Sequence, residues 1–172
     1  HDCAHGVEAW AEAREVEIGG CLIYNNGWQG RIDGYGHGIY ARNHHYSKRV
    51  VENVLANQFA GGLRATSNID TFVPMTVTGN IGVNNGAVSR DRRHRANFMI
   101  GSTGVAVEEL TFADNHCWHS YPTATTVHLG TGIDNRRLVM TGNTLVGLAR
   151  LMGWRNVTCS GNVFSGSATT LE

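Results

Sequence analysis

At 172 residues with 41% hydrophobic content, the chain is long enough for one domain with a continuous core, which argues against disorder. Fourteen Lys and Arg offset fourteen Asp and Glu, so bulk charge gives no reason to expect a nucleic acid or an anionic membrane as partner. No apolar run approaches the ~20 residues of a membrane span, and no charged start followed by an apolar stretch reads as a signal peptide.

Twenty-two glycines against two prolines, with many asparagines, mark a chain of tight turns rather than long helices. In chain order, the first element is Val7 to Arg14. It has helical propensity, yet it alternates Val7, Ala9 and Ala11 against Glu8, Trp10 and Glu12, which suits a strand.

A recurring phrase then follows: inward apolar residues, Gly-Asn or its equivalent, and another apolar residue two positions on. Its six copies are Val16-x-Ile18-x-Gly20-Cys21-x-Ile23, Val50-x-x-Asn53-x-Leu55, Met75-x-Val77-x-Gly79-Asn80, Leu110-x-Phe112-x-Asp114-Asn115-x-Cys117, Leu138-x-Met140-x-Gly142-Asn143-x-Leu145 and Val157-x-Cys159-x-Gly161-Asn162-x-Phe164. Period-two alternation predicts strand and Gly-Asn predicts a corner. The slot residues Cys21, Asn53, Asn80, Asn115, Asn143 and Asn162 lie 32, 27, 35, 28 and 19 positions apart, so loops of unequal length absorb the difference.

Between the phrases lies a second short strand: Gly38 to Ala41, Gly62 to Ala65, Phe98 to Gly101, Val127 to Gly130 and Arg150 to Gly153. Each repeat therefore holds at least two strands. Such a unit cannot bury its own apolar face, whereas units laid ~4.8 Å apart pair every strand with its copies above and below. The expected fold is all-β: a right-handed parallel β-helix of about six turns, one domain over 1–172, whose ends are expected either to continue into a longer protein as an uncapped fragment or to be covered by partners. A leucine-rich repeat is set aside for want of a helix per repeat. In the corners, stacked carboxamides are expected to bond along the axis as a ladder.

Cys21, Cys117 and Cys159 are expected as small buried residues with free thiols, and Cys3 is undetermined; CxxC spacing for zinc is absent. His44-His45, His94, His116 and His119 are too irregular to predict a metal site by spacing and read as surface or corner residues. His1 would chelate copper only as a true mature terminus.

Gly27-Trp28-Gln29-Gly30, Gly36-His37-Gly38-Ile39-Tyr40-Ala41-Arg42-Asn43 and the Gly-Asn phrases resemble bacterial right-handed β-helix repeat proteins of the pectate-lyase-like superfamily. The resemblance covers nearly the whole chain. It implies an extracellular or cell-surface location and a polysaccharide lying across one outer sheet, while lyases, hydrolases, epimerases and non-catalytic adhesion segments all share that fold. No lyase calcium site or hydrolase carboxylate trio is matched residue by residue.

By strand parity Tyr40, Arg42, Glu8, Trp10, Arg64, Met99, His128 and Arg150 point outward in a column. Arg42 and Arg64 suit the carboxylate of a uronate, and His37 or Tyr40 suits proton transfer, which is the chemistry of β-elimination or C5 epimerisation. Candidate catalytic residues are thus His37, Tyr40, Arg42 and Arg64; candidate substrate contacts are Trp10, Trp28, Glu8, Asp33 and His128. Glycoside hydrolysis by Glu8, Glu12 and Asp33 is the weaker expectation. No cofactor or metal is expected, a calcium ion on those acids being weakly supported. The basic run Ser89 to Arg95 reads as a solvated loop before an anionic-polymer grip. The expected partner is a polysaccharide, with end-to-end or lateral self-association; the alternative function is a non-catalytic glycan-binding or spacer segment.

Overall fold

The structure, a computed structural model, describes the whole chain apart from residues 30–33, 68, 70, 89–95, 122–123, 167–169 and 172. Among the described residues it is all-β and contains no helix. The strands are β1 (Val7–Ala9), β2 (Val16–Gly19), β3 (Leu22–Tyr24), β4 (Trp28–Gln29), β5 (Gly34–Tyr35), β6 (His37–Arg42), β7 (Lys48–Val51), β8 (Val54–Ala56), β9 (Gly61–Thr66), β10 (Met75–Thr78), β11 (Ile81–Val83), β12 (Ala96–Ile100), β13 (Leu110–Ala113), β14 (His116–Trp118), β15 (Thr125–Thr141), β16 (Thr144–Val146), β17 (Leu148–Ser160), β18 (Val163–Ser165) and β19 (Thr170–Leu171).

These strands pair in parallel, with the short β4–β5 pair alone antiparallel. They fall into three rows that recur in the same chain order. The first runs β1-β6-β9-β12-β15-β17, the second β2-β7-β10-β13-β15-β17 and the third β3-β8-β11-β14-β16-β18. The long β15 and β17 serve two rows each, and their register shifts between Thr125 and Val127 and again between Gly130 and Asn135. Every phrase seen in the sequence is thus cut by its own corner into two strands, and the repeat, expected to hold at least two strands, runs through three rows.

Register explains the burial. In the second row Ile18, Val50, Val77, Phe112, Met140 and Cys159 are successive partners; in the third, Ile23, Leu55, Gly82, Cys117, Leu145 and Phe164. Together with Ile39, Leu63, Phe98 and Val127 of the first row, the members from Ile18 to Met140 and, glycine aside, from Ile23 to Leu145 build one continuous core. Gly82 lacks a side chain because the Phe98 ring occupies the place its Cβ would take, 2.6 Å away. One inward position breaks the pattern: Lys48, in register with Val16 and Met75, is 1% exposed.

The corner preceding the third row is built identically each time. The residue before the slot holds a left-handed backbone, with φ between +53° and +69° at Gly20, Glu52, Gly79, Asp114, Gly142 and Gly161, which is why glycine recurs there. The slot asparagine then bonds along the row. Asn53, Asn80, Asn115 and Asn143 each donate a backbone and a side-chain N–H to the Oδ1 of the next member, at 2.7 to 3.1 Å, and the last acceptor is Asn162. Their Nδ2 groups also reach back to the carbonyls of Ile18, Val50, Val77 and Phe112. The expected ladder is present.

A second ladder, absent from the sequence reading, runs through the fully buried Asn26, Gln58, Asn85, Asn97 and Thr126 at the next corner. Cys21, Cys117 and Cys159 are free, as expected, and so is Cys3, which the sequence left undetermined. Cys117 is buried, but Cys21 is only partly buried and Cys159 is exposed, which corrects the expectation of burial for those two. The Cys159 position is inward, in register with Met140, yet no strand among the described residues pairs beyond it there. Val157 and Phe164 share this fate at 44% and 45% exposure, while their partners Leu138 and Leu145 are 0% exposed.

Candidate functional site

The first row carries the candidate residues. Glu8, Tyr40, Arg64, Met99, His128 and Arg150 are successive Cα partners across β1, β6, β9, β12, β15 and β17. Six of the eight residues read from parity as one column thus share a line, spaced ~4.8 Å apart by the hydrogen-bonded sheet, whereas Arg42 pairs with Thr66 and Trp10 lies beyond the end of β1. The line alternates with the buried Ile39, Leu63, Phe98 and Val127.

At one end, Tyr40 sits among rings. His5, His37 and Tyr40 have mutual centroid distances of 5.5, 5.5 and 5.6 Å with interplanar angles of 10° to 26°. His37 opens β6, is buried, and its backbone N–H donates to Nδ1 of His5 at 3.1 Å. His5 Nε2 lies 3.6 Å from a Glu8 carboxylate oxygen. Burial lowers the His5 pKa, with Glu8 pulling weakly the other way. The cluster thus holds a neutral imidazole beside a phenol, the pair of groups that can pass a proton.

Two guanidinium groups border this cluster. Arg42 lies 5.1 Å from the Tyr40 centroid and 5.7 Å from the Trp10 centroid, and its buried Nε has no hydrogen-bond partner among the described residues. Arg64 follows Tyr40 in the line and packs on the Met99 sulfur. Burial lowers its pKa, opposed by Tyr40 and reinforced by Arg42, and a guanidinium so placed still carries its charge at neutral pH. Further along, burial lowers the His128 pKa, with Arg150 and Arg64 adding to the effect. The face is an array of cationic donors and flat rings with neutral imidazoles between them.

Not every expected contact joins it. Trp28 is exposed on β4, paired with Tyr35 of β5 and outside the line. Asp33 and the basic run at 89–95 lie outside the described residues.

The structure also gathers a group that residue spacing had set aside. Glu12, from the turn after β1, meets His44 and His45 from the bend between β6 and β7, with ligand atoms of all three within 4.8 Å of one another. Lys48 lies nearby: Glu12 pulls its pKa up against the larger lowering by burial, and its ammonium donates to the Tyr46 carbonyl at 3.2 Å. The signal was present in the second phrase, which alone lacks its first inward apolar residue because Lys48 stands there.

Fold and face together define an all-β protein of parallel strand rows with a cationic, aromatic outer line. Comparison with family models, with curated proteins and with solved structures finds no match to this chain.

Proposed function

We propose that the chain is a right-handed parallel β-helix segment of the pectate-lyase-like kind, and that its outer line binds an acidic polysaccharide and acts on it. Three rows in constant order, paired in parallel and bonded through two carboxamide ladders, support the fold reading. The functional reading is carried by one observation, the register of Tyr40 with Arg64 beside the Arg42 guanidinium and the His5 and His37 rings.

The chemistry follows from the charges. A uronate carboxylate held by Arg42 and Arg64 has its negative charge offset, which acidifies the neighbouring C5–H. Tyr40 or His37 takes that proton. In elimination the C5 electron pair forms the C4–C5 double bond, the C4–O bond breaks, and the departing oxygen takes a proton from the second of these groups. In epimerisation the proton returns to the other face of C5. Trp10 stacks on a sugar ring, and Glu8 and His128 contact flanking sugars along the line. Such a protein works outside the cell or on its surface, where long polysaccharides are found.

The test is a panel of uronate polymers, followed by ultraviolet absorbance of unsaturated ends and by NMR of C5 stereochemistry. Product from one polymer, lost in Tyr40→Phe and Arg64→Ala, is the expected result. Neither product nor inversion with any polymer removes catalysis. Absence of retention in gels containing each polymer removes binding as well. A non-catalytic glycan-binding or spacer segment is the second reading, favoured by Met99, an apolar side chain in mid-line. It is the one retained if the polymer binds without product. The exposed inward positions Val157 and Phe164 support end-to-end self-association.

A further inference from the structure

We propose that Glu12, His44 and His45 form a binding site for a zinc ion, with the fourth position left to water or an anionic ligand. Two imidazoles and one carboxylate are the donor set of an open, three-ligand zinc site, and the nitrogen majority disfavours the hard cations calcium and magnesium.

The geometry supplies the argument. Ligands each ~2.1 Å from a tetrahedral zinc lie about 3.4 Å apart. Glu12 Oε1 and His45 Nδ1 are 3.5 Å apart already, and the His44 and His45 rings meet edge to face with centroids 4.5 Å apart, so both can turn a nitrogen towards one point. An independent observation points the same way: Nδ1 of His44 is buried without a hydrogen-bond partner among the described residues. A buried lone pair left unmatched is costly, and coordination through Nδ1 gives it a partner.

The surroundings tune this site. Burial lowers the His44 pKa, followed by His45, with Lys48 and Arg42 adding to it and Glu12 opposing. The same two cations repel an incoming Zn²⁺, so affinity is held below what the ligands alone would give. Lys48 occupies an inward slot that apolar residues fill in neighbouring units, and methionine fits that slot at Met75. Removing the charge there should strengthen zinc binding without disturbing the ligands.

The test uses the chelator-treated protein, titrated calorimetrically with Zn²⁺ and spectroscopically with Co²⁺. Expected are one equivalent of Zn²⁺, visible absorption of a four- or five-coordinate Co²⁺ site, and a raised thermal midpoint with zinc. Glu12→Gln and His45→Ala should each weaken binding by at least about tenfold, since even outer-shell losses reach that size, and Lys48→Met should tighten it. A His1→Ala, Cys3→Ser double variant should bind as the parent does. Circular dichroism of each variant without metal checks that it folds. No bound equivalent, binding unchanged by Glu12→Gln and His45→Ala, or binding lost only in the His1/Cys3 variant would each overturn the proposal.

Discussion

Asn80 and Asn115 are joined twice: Oδ1 of Asn115 accepts the backbone N–H of Asn80 at 2.9 Å and its side-chain N–H at 3.0 Å, with both residues fully buried. Nδ2 of Asn115 in turn donates to the Val77 carbonyl at 2.9 Å. Asn115→Ala takes the acceptor from the buried Asn80 N–H and a donor from the Val77 carbonyl, whereas Asn80 Nδ2 keeps the Val50 and Thr78 carbonyls, so at 1–3 kcal/mol for an unsatisfied buried group the loss should be about 1–3 kcal/mol. Urea denaturation followed by circular dichroism measures it. Asn162→Ala, at a partly exposed position, should cost clearly less.

Equivalent positions should differ sharply in their contribution to stability. Leu145 and Phe164 are register partners, one 0% and the other 45% exposed. Leu145→Ala should cost about 2–5 kcal/mol through lost burial and a cavity. Phe164→Ala should cost well under half of that in dilute monomer, by the same denaturation assay.

The thiols should separate into classes. Cys3 and Cys159 are exposed, whereas Cys117 is buried and burial pushes its pKa well up. A thiol-specific reagent at pH 8 should label Cys3 and Cys159 quickly, Cys21 more slowly, and Cys117 only after denaturation. Mass spectrometry of peptides from timed samples reads the order.

Stability should fall as pH drops from 7 towards 5. Folding lowers the pKa of His5 and His128, chiefly by burial, from the 6.5 of the open chain. Above 6.5 both states are neutral and nothing is lost. Below it the unfolded chain takes up protons that the folded protein refuses, so unfolding gains ground. His128→Gln, which removes a site facing Arg64 and Arg150, should flatten the dependence of the urea midpoint on pH across this window.

The repeat was legible because its cause is local. A left-handed corner wants glycine, and a shared buried slot wants asparagine, so Gly79-Asn80, Gly142-Asn143 and Gly161-Asn162 are visible in the letters. The outward line from Glu8 to Arg150 followed from strand parity alone. The second ladder was not legible, because Asn26, Gln58, Asn85, Asn97 and Thr126 differ in type, and Asn97 lies only 12 positions after Asn85. Bonding geometry, not identity, unites them. Glu12 meeting His44 and His45 was equally hidden, since residues more than 30 positions apart are brought together by the pairing of β1 with β6. The exposure of Cys159 depends on what lies above its strand, which parity does not encode.

The ladder from Asn53 to Asn162 has a direction. Each member hands its amide protons forward to the following oxygen, so the file is polar from one tip to the other, like a row of one-way couplings. Two identical tips brought face to face would set acceptor against acceptor or donor against donor. Cys21 sharpens the asymmetry, because it receives the Asn53 oxygen at its N–H but offers no carboxamide of its own. A newcomer arriving behind Cys21 would meet sulfur where the steps from Asn53 to Asn162 supply an amide oxygen, so the two tips of the file differ in chemistry as well as in direction.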